Sequence, residues 1–167
     1  MNRYILCLIS LVILASCSIS YKFNGASIDY TKIKTITIKE FPNQAPLVYP
    51  PLSQMFSEAL IDIFTTQTRL SFVPNNGDIE LEGEIVGYDL TPQNVQADAY
   101  AAVTRLTVKV RVRYTNRNNP DQDFEQTFSA YRDFDSSQSL DSVQDELLRE
   151  IDKELCELIY NATVGNW

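Results

Sequence analysis

Two stretches, Ile79-Glu80-Leu81-Glu82-Gly83-Glu84-Ile85 and Arg105-Leu106-Thr107-Val108-Lys109-Val110-Arg111-Val112-Arg113-Tyr114, alternate apolar and polar residues almost without a break. A period of two puts one set of side chains on each face of a strand, so each stretch has one apolar face and one charged face. On the first, the charged row is Glu80, Glu82 and Glu84; on the second it is Arg105, Lys109, Arg111 and Arg113, with Thr107 among them. The alternation predicts strands over 78–90 and 103–114, wet on one side. Such half-buried strands belong to a largely antiparallel sheet, and the question becomes what covers the apolar face.

Downstream, Asn116 to Asp123 is dense in Asn, Asp and Pro. Beyond it Phe124, Phe128 and Ala130 alternate with Glu125, Thr127, Ser129 and Tyr131, which predicts a hairpin partner for the basic strand. Asp135 to Ser139 breaks the sheet. From there Leu140, Val143, Leu147, Leu148, Ile151, Leu155, Leu158, Ile159 and Ala162 fall on one helical stripe, and Ser142 with Asp145 matches a capping box. Cys156 lies off that stripe and is expected to be partly exposed, as an unpaired structural thiol.

Upstream, Ile33 to Phe41 sets Ile36 and Ile38 against Thr35, Thr37 and Lys39, which predicts a first strand. Pro42, Pro46, Pro50 and Pro51 make 41–51 an ordered loop rather than helix or central strand. Leu52, Met55, Phe56, Ala59, Leu60, Ile63 and Phe64 then line one face of a helix, with Pro51 suited to its first turn. The order strand, helix, three strands, helix gives an α+β fold. It is a two-layer domain with two amphipathic helices packed on one face of a four-stranded, mostly antiparallel sheet, whose other face stays polar. Leu60, Phe64, Val110 and Leu155 are expected to meet between the layers.

The N-terminus reads as an export signal. Arg3 is a small positive n-region, Tyr4 to Leu14 is apolar, and small residues precede Cys17. The apolar run is too short to span a bilayer. Leu14-Ala15-Ser16-Cys17 resembles the lipobox of bacterial lipoproteins, in which the cysteine thiol carries diacylglycerol. The division expected is a signal peptide over 1–16, a lipidated tether over 17–30 and a single periplasmic domain over 31–167. One acyl chain binds a membrane marginally, whereas two or three hold it for good.

Losing residues 1–16 removes one cation and no acid, taking the formal charge from -8 to -9. That argues against a general nucleic-acid or polyanion binder, which shows a basic face, and leaves room for a local basic patch. Cys7 leaves with the signal and Cys17 is spent on lipid, so Cys156 has no internal disulfide partner. The chain has no histidine, which removes the usual general base and the Ser-His and Cys-His nucleophile pairs. No Gly-rich phosphate loop appears. An enzyme would rest on Asp133 and Asp135, which more simply belong to a turn. No metal site, catalytic residue or cofactor is expected beyond the covalent lipid on Cys17.

Phe-Asn-Gly-Ala-Ser-Ile at 23–28, Phe-Pro-Asn-Gln-Ala-Pro-Leu-Val at 41–48, Leu-Glu-Gly-Glu-Ile at 81–85, Asp-Phe-Glu-Gln-Thr-Phe-Ser at 123–129 and Trp167 together resemble the LptE-like lipoproteins of the Bacteroidota. The resemblance implies an outer-membrane lipoprotein that partners and plugs the large LptD-type β-barrel inserting lipopolysaccharide into the outer leaflet. It implies no enzyme activity. Ser18-Ile19-Ser20-Tyr21 lacks the acidic run that marks surface export in this family, so a periplasm-facing domain is expected. A second function compatible with the fold is an adaptor that binds and activates a cell-wall enzyme.

Two candidate sites follow. Arg105, Lys109, Arg111 and Arg113 are placed to grip lipopolysaccharide phosphates. Alternatively they form a cross-strand charge ladder with Glu80, Glu82 and Glu84. The proline loop, through Phe41, Asn43, Leu47 and Tyr49, is a candidate barrel contact, or else packs its apolar residues as the lead-in to the helix.

Overall fold

The computed structural model describes residues 28–93 and 102–164. The signal segment, Cys17, most of the tether, residues 23–27 and Trp167 lie outside the described residues.

The elements run β1 (Thr35–Ile38), α1 (Pro51–Gln67), β2 (Ser71–Phe72), β3 (Ile79–Gln93), β4 (Val103–Asn116), β5 (Phe124–Asp135) and α2 (Leu140–Thr163), with a short 3-10 turn at Pro120–Gln122 before β5. The sheet order is β2-β1-β3-β4-β5. It has five strands rather than four, and it is mixed. β1 runs parallel to both β2 and β3, while β3/β4 and β4/β5 are antiparallel. The β1/β2 pair is parallel because α1 crosses over and returns the chain to start alongside β1. β2 has only two residues, too few to show a period.

Both helices cover the apolar face. Leu52, Phe56, Leu60 and Phe64 of α1 and Leu148, Ile151, Leu155 and Ile159 of α2 are fully buried, against Ile79, Leu81, Ile85, Leu106, Val108, Val110 and Val112 of the sheet. Each such side chain contributes roughly 1.5–3 kcal/mol by leaving water. Leu158, expected on the α2 stripe, is instead 40% exposed, because the stripe is wider than the surface the sheet offers.

A β-bulge between Ile85 and Gly87 shifts the phase of β3 by one residue. Before it the odd-numbered residues face the helices; after it Tyr88 does. Gly83 sits on the inner face, where a Cβ would overlap the Arg111 carbonyl oxygen and come within 2.6 Å of the Phe41 ring, so only glycine fits.

Asp78 fastens the start of β1. Its Oδ2 accepts from the Lys34 and Thr35 backbone N–H groups at 2.8 and 2.9 Å, which holds its carboxyl below the usual range. Ile28, assigned to the tether by sequence, packs on the core. The Asn118 side chain donates to the Lys32 carbonyl at 3.3 Å, so the chain enters the domain at the β4–β5 end of the long β3/β4 hairpin.

Candidate functional site

The polar sheet face carries the basic row, and the register places acids beside it. Glu82 stands opposite Arg113 and Glu84 opposite Arg111 on β3, while Glu125 and Asp133 of β5 stand opposite Arg113 and Arg105. Arg111 Nη1 lies 2.7 Å from Glu84, and Arg113 reaches Glu82 and Glu125 at 3.0 Å each. Arg105 grips Asp133 with two bonds of 2.7 and 2.8 Å and stacks 3.7 Å over the Tyr131 ring. Lys109 pairs diagonally with Asp89 at 3.1 Å, because its direct neighbour is Gly87.

The row and the acids therefore form a charge ladder. Glu80 takes a different place from the one expected: it faces Thr115 and pairs with Lys39 and Arg117. Asp89, Glu125 and Asp133 complete the ladder and were missed. Glu125 could have been found, since its alternation with Phe124 already put it on this face. Asp133 lies within β5, not in a turn.

The Arg105 guanidinium holds the Asp133 carboxyl below its usual range and is itself pushed up. Lys39 first, then Arg113, lowers Glu82. Arg113 is 57% exposed, and pairs this wet contribute about 0–1 kcal/mol each. A shallow depression of about 280 Å³ lies over Lys39, Glu82, Glu84, Arg111, Arg113 and Glu125.

The proline loop is less free than its sequence suggests. The Ile85 N–H donates to the Pro42 carbonyl at 2.9 Å and the Gln44 N–H to the Ile85 carbonyl at 2.8 Å, so residues 42–44 continue alongside β3. Phe41 is fully buried, edge-on to Phe56 at 5.2 Å, so its ring belongs to the core and not to a contact surface. Asn43 turns inward: its Oδ1 accepts from Ala45 N–H while its Nδ2 is buried with no partner. Tyr49 donates to Asp145 of α2 at 2.7 Å, which pushes its hydroxyl pKa up. Leu47 is exposed, and so is Val48, which was not singled out as a contact residue.

On α2 the N-cap is Ser139, with no side-chain cap bond. Ser142 bonds back to the Ser139 carbonyl, and Asp145 is engaged by Tyr49, so neither forms the expected capping box. Cys156 is buried, not partly exposed, and burial pushes its thiol pKa up. Four residues before it, Asp152 is 1% exposed with neither carboxylate oxygen hydrogen-bonded. Desolvation raises its pKa to about 7. The spacing Leu148, Asp152, Leu155, Cys156 carried that signal.

Residues 33–163 match the family model for LptE, lipopolysaccharide assembly. The chain belongs to the LptE family. Its role therefore lies in lipopolysaccharide assembly, in a family that is non-catalytic. No curated protein sequence matches the chain. Among solved structures, a hypothetical protein of Chlamydia trachomatis superposes with a TM-score of 0.53 at 12% identity, covering 76% of this chain and 93% of that one. A minor lipoprotein of Acinetobacter baumannii gives 0.47 at 14% identity over 76% and 89%. The rare lipoprotein B of Shewanella oneidensis gives 0.46 at 10% identity over 77% and 92%. The Chlamydia likeness is one of fold. In this chain the body is a helix layer on a sheet whose outer charges are paired with one another.

Proposed function

We propose that the protein is an outer-membrane lipoprotein, anchored through lipid on Cys17 and facing the periplasm, that partners and plugs an LptD-type β-barrel. The family match across residues 33–163 carries this reading. The sheet face supports it, because a plug in a water-filled lumen needs a polar surface that does not attract stray polyanions, and the ladder supplies one. Leu47 and Val48, exposed beside a segment pinned to β3, are the loop's contribution to the barrel contact. No catalytic residue enters the proposal.

Affinity capture of the full-length protein from detergent-solubilised envelopes tests it. The lipopolysaccharide-assembly barrel should be recovered in stoichiometric amount. Recovery of a peptidoglycan synthase without the barrel would replace this reading with the cell-wall adaptor.

A further inference from the structure

The formal charge is not spread evenly. α1 carries Glu58 and Asp62 with no cation, and α2 carries seven acids against Arg149 and Lys153, so the helices hold -7 of the chain's -8. The sheet face, by contrast, is neutralised by its own pairs. Within the acidic layer a cavity of about 420 Å³ opens between the helices, lined by Met55, Glu58, Ala59, Asp62, Arg149 and Asp152.

Asp152 is the unusual member. A buried carboxyl with no hydrogen bond costs desolvation free energy whenever it ionises, a cost that a cation brought in from outside the fold would offset. Arg149, the one cation lining the cavity, forms no hydrogen bond with it, and the other two acids of the lining, Glu58 and Asp62, come from α1 across the cavity. The walls add the Met55 thioether and the Ala59 methyl, apolar surface of the kind an aliphatic stem lies along. An aliphatic stem ending in a cation is a lysine or arginine side chain.

We infer that the cavity between α1 and α2 is a socket for a lysine or arginine side chain of the partner protein, with Asp152 as its buried counter-ion and Glu58 and Asp62 at its mouth. As a barrel contact, this rests on the function proposed above; as a cation socket, it stands on the cavity alone.

Two measurements keep those parts separate. In the first, acetylated pentalysine is titrated into the full-length protein at low salt while the Met55 methyl and the Asp152 carboxyl carbon are followed by NMR. Both signals should move saturably, and Asp152→Asn should weaken binding at least tenfold while the charge-matched Glu157→Gln changes it less than twofold. A still Met55 methyl, or equal loss in both variants, overturns the socket. In the second, barrel recovery is compared between wild type and Asp152→Asn, whose folding is verified by its melting curve. A tenfold drop supports the socket as a barrel contact, and equal recovery overturns that assignment while leaving the partnership intact. If the wild type itself recovers no barrel, the proposed function fails, and the peptide titration still decides the socket.

Discussion

At the scale of single residues, Asp152 and Asp78 are carboxylates with opposite effects on stability. Asp78, bonded to two backbone N–H groups, has its folded pKa below the unfolded value of 3.8, so its contribution is present above that pH and is lost on acidification through the lower folded value. Asp152 is raised to about 7, so the fold prefers it neutral. Below pH 4 it has no effect; as pH rises from 4 to 7 the unfolded chain ionises while the fold resists. Stability then falls as pH rises through this window and levels off above about 7. Glu58 and Asp62 on α1 and Arg149 and Cys156 on α2 surround it and remain unaltered in Asp152→Asn. Denaturant titrations between pH 4 and 8 should show the decline in wild type and its absence in the variant. A variant that declines as steeply would place the titrating group elsewhere.

At the scale of elements, the ladder has a measurable signature. Arg113→Gln should cost at most about 1 kcal/mol, and a double-mutant cycle with Glu125→Gln should recover part of it, since the pair is exposed. Replacing Arg111 as well should leave the affinity for purified lipopolysaccharide unchanged if the carboxylates are the row's partners. A drop in affinity whose salt dependence also flattens would reassign the row to phosphate binding. The strands carrying this row were legible because β3, β4 and β5 alternate over many residues, and both helices were legible from their stripes. β2 was not, since two residues have no period. Nor was the parallel pairing of β1 legible, because neighbour choice depends on where the crossover returns the chain. The proline loop misled for a related reason: composition shows that Phe41 to Pro51 is irregular, but not that residues 42–44 bond to Ile85 or that Phe41 fills the space above Gly83. Asp152 was missed because an acid on a helix is ordinarily solvated, even though its spacing from Leu148 and Cys156 puts it on the buried face.

At the scale of the whole molecule, attachment should rest on the lipid first and on protein contacts second. Cys17→Ala is expected to leave the washed outer-membrane fraction in cells depleted of the barrel, and to be partly retained when the barrel is present. Retention in depleted cells would remove the thioether lipid from the account. The β3/β4 hairpin also fixes a length. Fifteen residues at about 3.3 Å each reach about 50 Å, against the ~30 Å hydrocarbon thickness of a bilayer. The chain enters the domain beside Asn118, at one end of that hairpin, while Gln93 and Val103 pair at the other. The molecule is thus a ruler with its zero mark at the end where the chain enters the domain. If it stands along a barrel axis as proposed, the hairpin is longer than the hydrocarbon layer is thick, and whatever meets Gln93 and Val103 does so some 50 Å of hairpin away from where the chain enters the domain.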